Sequence, residues 1–110
     1  MIFVKINNQN YPATVNGRMN DDTWDNRESR EITLEMDYTT ASKLFVDGQQ
    51  WSIVQQNEVD GEIQETEWEN SEFNIAGDIT DHRDGTITVK MGKLTDLEEA
   101  YEIMFGGANR

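Results

Sequence analysis

The sequence predicts a small, mainly β domain of α+β character, an antiparallel sandwich or partly open barrel with one short helical turn and a C-terminal helix. Two observations predict it. Apolar residues recur at every second position in several short segments separated by turn residues, as half-buried strands require. Near the end the period changes: Leu97, Ala100, Tyr101, Met104 and Phe105 fall at i, i+3, i+4, i+7 and i+8, one apolar stripe of a helix.

Each element follows from its own residues. Ile2, Val4 and Ile6 alternate with Phe3 and Lys5, and Tyr11, Ala13 and Val15 resume the pattern after an Asn-rich break, so the two segments read as a hairpin. Pro12 falls near a strand start, where its missing donor is tolerable. The polar stretch 18–29, with Trp24 inside it, reads as a long loop. Ile32, Leu34 and Met36 alternate with Thr33, Glu35 and Asp37, a one-sided strand with acids outward. Thr39 or Thr40 is positioned to cap a helical turn through Ala41, Lys43 and Leu44. Phe45-Val46, Asp47-Gly48 and residues 51–54 read as strand, turn and strand. Residues 62–69 form a strand of unusual polarity. Phe73, Ile75 and Ile79 share one phase, which Gly77 interrupts with a bulge or close backbone approach. Residues 81–85 make a turn into Ile87, Val89 and Met91. Thr95 and Glu98 match a capping box ahead of the final helix, which Gly106-Gly107 stops and which is expected to cover one face or one open end of the sheet.

The chain of 110 residues fits one domain and can bury a modest core. A net charge of −13 suggests disorder, but three Trp, three Tyr and four Phe in a patterned sequence argue for a fold. Cysteine is absent and His82 is the one histidine, so disulfides and thiolate metal sites are excluded and a zinc site is disfavoured. No apolar run approaches a bilayer span, and the first residues lack a secretory pattern, so the expectation is a soluble, cytosolic protein.

The charge is not evenly spread. Between Lys43 and Arg83 the chain runs 39 residues without a Lys or Arg while carrying ten acids. Seven of them, Glu58, Asp60, Glu62, Glu65, Glu67, Glu69 and Glu72, fall within fifteen positions. In an extended segment Glu65, Glu67 and Glu69 share a face at a spacing of about 6.6 Å. That row is loosely comparable with a nucleic-acid backbone, which suggests a phosphate mimic that docks on a basic protein surface. A protected sheet edge, whose like charges discourage aggregation, accounts for the same residues. Asp78 and Asp81 could extend the field. Trp68, in the opposite phase from the Glu row, is expected in the core, with an interface anchor as the alternative.

Other chemistries have less support. Asp78, Asp81 and Asp84 lack the spacing of a calcium loop, and turn-making explains them. Carboxylate pairs are too abundant among 22 acids to mark a catalytic site, no glycine-rich phosphate loop precedes a helix, and no cofactor is implied. Nine basic residues, with only Arg18, Arg27 and Arg30 loosely grouped, do not form a surface for direct nucleic-acid binding.

Two stretches, WDNRESR at residues 24–30 and AGDITDHRDGTITVKMGKLTDLEEA at residues 76–100, resemble short proteins carried by phages and prophages of Gram-positive bacteria. The resemblance implies one of two settings. One is an anti-defence inhibitor of the anti-CRISPR type, acidic and mimicking nucleic acid; the other is a structural or assembly protein of the tail or head–tail region, which could form a homo-oligomer within the virion. Neither setting brings functional residues with it. The expected function is a non-enzymatic inhibitor of a host defence nuclease, with the structural protein as the alternative.

Overall fold

The computed structural model describes residues 1–101 and Met104. Seven strands, β1 (Ile2–Ile6), β2 (Gln9–Asp21), β3 (Arg27–Glu35), β4 (Ser52–Val59), β5 (Glu62–Glu69), β6 (Ile75–Asp81) and β7 (Thr86–Gly92), form one antiparallel sheet in the order β5-β4-β1-β2-β3-β7-β6. Helix α1 (Tyr38–Leu44) links β3 to β4, and α2 (Asp96–Tyr101) follows β7. The expected mainly β architecture is therefore present, with β5 and β6 as its two edges.

Alternation builds the core. Val4 and Ile6 from β1, Ile32 and Leu34 from β3, and Ile87, Val89 and Met91 from β7 point to one side and join a single buried cluster. The cluster is continuous across neighbouring strands, with Tyr11, Ala13 and Val15 of β2 packed against it between β1 and β3. Ala41, Phe45, Trp51 and Phe73 close the cluster from the connections. Buried Trp51 meets its polar requirement by donating from Nε1 to the Phe73 carbonyl at 2.8 Å. The Arg30 guanidinium lies 4.1 Å from the centre of the Phe73 ring.

Two tight turns set the register of the hairpins. Asn7 and Asn8 have φ of 54° and 65°, and Asp60 and Gly61 have 53° and 80°, the positive values that two-residue hairpin turns require. The register shift between Ala76 and Ile79 is the bulge expected around Gly77.

Several expectations need correction. Residues 18–21 belong to β2, paired with β3, rather than to a long loop; only residues 22–26 turn the chain. Their side chains are polar or exposed on both faces, so the strand leaves no alternation to read. Helix α1 is capped by Asp37, whose Oδ1 accepts from Thr40 N at 2.6 Å, and not by Thr39 or Thr40. Phe45 is the C-cap of α1 rather than a strand residue, because burying Ala41 and Phe45 together favours the helix over the local β preference. The capping box of α2 forms, with Thr95 N donating to Glu98 Oε1 at 2.9 Å and Glu98 N to Thr95 Oγ1 at 3.2 Å. That helix does not lay its apolar stripe on the sheet, however: Leu97 is 81% exposed and Met104 68%. Phe105 and Gly106-Gly107 lie outside the described residues.

A second packed region lies on the outer face. Residues 22–26 fold back so that Trp24 lies across Gly77 and Gly92; a Cβ at either glycine would stand 2.7 Å from the Trp24 ring. Arg27 is stacked 4.8 Å from that ring and reaches Glu98 with two hydrogen bonds, of 2.9 and 3.1 Å. Beside it, fully buried Asp21 accepts from Lys90 Nζ at 2.8 Å and from the Thr23 hydroxyl and amide.

Candidate functional site

The acidic segment occupies the β4–β5 hairpin, which forms one edge of the sheet. Its register runs without a shift from Ser52 opposite Glu69 to Val59 opposite Glu62. Residues directly opposite one another in an antiparallel pair share a face. Glu65 lies opposite Gln56, Glu67 opposite Val54 and Glu69 opposite Ser52, while Glu58 lies opposite Ile63. Glu58, Glu65, Glu67 and Glu69 therefore project from one face, together with Lys5, which lies opposite Ser52 on the far side of β4. This face lies opposite the core cluster, which Val4 and Ile53 meet in the alternate phase, although Val54 and Ser52 beside the Glu row are themselves buried.

The other predicted residues divide differently. Glu62, opposite Val59, projects from the inner side of the hairpin, and Asp60 sits in its tip. Glu72 lies beyond β5 and approaches Lys93 Nζ at 3.7 Å, so it pairs with the β3–β7 end of the molecule. Asp78 and Asp81 lie on β6, the opposite edge, where Asp81 accepts from Arg83 N at 2.9 Å and shapes its own turn. They do not extend the row. Asp84 likewise accepts from the Thr86 amide and hydroxyl. Among the described residues no three of His, Asp and Glu converge as a cation site.

Trp68 has the phase expected of it, opposite Ile53 on the inner side, but it is 47% exposed instead of buried. On an edge strand only one neighbour exists to cover it. The expectation of a core role is corrected: Trp68 is an exposed aromatic beside the free edge.

Every member of the Glu65–Glu67–Glu69 row accepts a hydrogen bond. Gln56 Nε2 donates to Glu65 Oε2 at 3.1 Å, and the Ser71 hydroxyl and amide donate to Glu69. Glu67 accepts from Ser52 Oγ at 2.9 Å and from Lys5 Nζ at 3.3 Å. The Ser52 hydroxyl and then Lys5 hold the Glu67 carboxyl below its ordinary range. A group held ionised in this way is an acceptor at neutral pH and a poor proton donor. Beside it opens a polar cleft of about 480 Å³, lined in part by Lys5, Asn7, Gln50, Ser52, Glu67 and Glu69.

Sequence reasoning missed the donors that organise this row. Lys5 and Ser52 are distant from Glu67 in the chain, and only the β1–β4–β5 register brings them together. The signal available was phase: Lys5 alternates with Val4 and Ile6 and so had to face the same way as its neighbours' polar residues. The Asp21–Lys90 pair, 69 positions apart, carried no such signal.

Comparison of the chain with protein-family models, curated proteins and solved structures returned no match. Among the described residues no helix is long and apolar enough to cross a membrane.

Proposed function

We propose that this chain is a non-enzymatic binding protein whose acidic β4–β5 face docks on a basic, nucleic-acid-binding surface of another protein and keeps nucleic acid away from it. In the setting that the phage resemblance implies, the partner is a host defence nuclease. One observation carries the reading: Glu58, Glu65, Glu67 and Glu69 project from one face of a regular two-stranded ladder, at the fixed spacing of a strand. Side-chain hydrogen bonds hold three of them in place, so less ordering remains to be done on binding. Lys5 offsets part of the charge at Glu67, whereas Glu65 and Glu69 are held by neutral donors and keep theirs.

The test is capture of partners from a bacterial lysate, followed by competition between this protein and DNA or RNA for the purified partner. Binding should weaken steeply with salt. The change of Glu65, Glu67 and Glu69 together to Gln should release the nucleic acid; competition that survives it would sink the reading. An assembly role in a phage particle is favoured by a different observation, the exposure of Leu97 and Met104 on and beyond α2. Its signature is a defined oligomer or tail-protein complex that persists at high salt.

A further inference from the structure

The two edges of the sheet differ in a way that points to how a partner binds. At β6 the edge is obstructed: the strand is bulged between Ala76 and Ile79, the outward Ala76 amide donates to Asp47 Oδ1 at 2.8 Å, and Gly48 N donates to the Asn74 carbonyl at 2.7 Å. At β5 none of these devices is present among the described residues. Its eight residues are all exposed, contain no Pro and keep an unbroken register with β4.

The backbone groups along that edge can be assigned. Gln56 exchanges both of its main-chain bonds with Met1, since Gln56 N donates to Met1 O at 2.9 Å and Met1 N to Gln56 O at 2.8 Å. Antiparallel pairs alternate, so Gln56 turns its main chain away from β5, and its partner Glu65 turns outward in the same manner. Ile63, Glu67 and Glu69 follow by the period of two, and the Asn70 amide, in the other phase, accordingly donates inward to the Trp51 carbonyl. The residues with outward N–H and C=O groups are thus the ones whose side chains form the acidic face.

We infer that β5 accepts an extended, basic segment of a partner protein as an eighth strand. This rests on reading the acidic face as a protein-docking surface and specifies its mode. Main-chain bonds to Ile63, Glu65, Glu67 and Glu69 supply the pairing, and alternate side chains supply selectivity. On the outer face the added strand meets Glu65, Glu67 and Glu69, which select Lys or Arg at every second position. On the inner face it meets Thr66 and half-exposed Trp68, which select an apolar or β-branched residue between them. A second copy of this chain is the poorer occupant, because β5 against β5 sets Glu beside Glu.

The experiment uses the full chain and a synthetic peptide alternating Lys with Val, with a peptide alternating Ser with Val as control. Binding is followed by calorimetry and by amide hydrogen exchange. The Lys peptide should bind about tenfold or more tightly than the Ser peptide, the combined effect of several opposite-charge pairs across strands. It should also slow exchange at residues 63, 65, 67 and 69. Glu65→Pro removes an outward donor without touching the β4 ladder and should abolish binding, whereas Glu65→Gln, with the same loss of charge, should only weaken it. If Glu65→Pro does not fold, exchange protection in the unaltered chain decides alone. Equal binding of the two peptides, or no binding by either, overturns the inference. Salt-sensitive binding without protection of those four amides also overturns strand addition, yet leaves the acidic docking surface standing. Failure of that surface is read separately, in the nucleic-acid competition.

Discussion

The Lys90–Asp21 pair and the Lys5–Glu67 pair have the same chemistry in different surroundings. The first is 2.8 Å long, with a carboxylate wholly removed from solvent; the second is 3.3 Å long, with a carboxylate whose side chain is 42% exposed. Asp21 has its remaining oxygen saturated by Thr23 and is covered by the turn that carries Trp24. Glu67 opens onto a cleft and stands in a row of like charges. A buried pair ties structure together because neither partner can be lost cheaply, whereas an exposed pair contributes little to folding and stays available to a competitor for its charge. Position, more than the ion pair, separates an acid locked into the fold from one left open to solvent.

The largest effect should come from breaking the buried pair. Lys90→Met strands the Asp21 carboxylate and should lower the thermal midpoint by roughly 10 °C or more. Lys5→Met should leave that midpoint nearly unchanged. Calorimetry of the two variants side by side checks the contrast, and equal losses would break it. Next in size, Gly92→Ala places a methyl 2.7 Å from the Trp24 ring and from Arg27 Cδ, so the outer packing must shift. Its cost in urea unfolding should be about 1–3 kcal/mol, the range for overpacking.

The pH dependence sharpens the same contrast. Lys90, then Thr23, holds Asp21 well below the usual carboxylate range, and Arg27 does the same for Glu98, assisted by Thr95. A carboxylate held ionised by the fold binds fewer protons in the folded than in the unfolded state. The stability it contributes is therefore fully present above the ordinary pKa of about 4 and is lost as the pH falls through the lower folded value. Acid unfolding of the unaltered chain should begin below about pH 4, and the Lys90→Met variant should show a shallower dependence there. The smallest change should be Ser29→Ala. Ser29 Oγ is buried and finds no hydrogen-bond partner among the described residues, so its removal should be neutral or stabilising by up to about 1 kcal/mol. A clear loss of stability in urea would show that the hydroxyl is satisfied after all.

Local chemistry made part of this molecule legible. The Asn7-Asn8 turn, the bulge at Gly77, the alternation of Ile87, Val89 and Met91 and the Thr95–Glu98 box all lie within a few residues of their partners. The shared face of Glu65, Glu67 and Glu69 was legible too, since strand phase depends only on parity. What was not legible depends on distant partners. Residues 18–21 are a strand because β3 pairs with them, and Phe45 ends a helix because the core takes it. Glu98 was readable as a cap but not as the anchor of Arg27, 71 positions away. Trp68 shows the limit most simply: its phase followed from the sequence, while its burial depended on a neighbouring strand that the edge lacks.

The three tryptophans sit in unlike environments, and this makes the molecule its own optical instrument. Trp51 is enclosed in the core, Trp24 rests against a guanidinium on the outer face, and Trp68 is half in solvent beside the open edge. Emission from Trp51 should stay blue until the fold is lost, whereas emission from Trp68 should be red in the free protein and shift as soon as anything covers β5. Occupancy of the edge and integrity of the core can thus be read from one unlabelled sample, at two wavelengths.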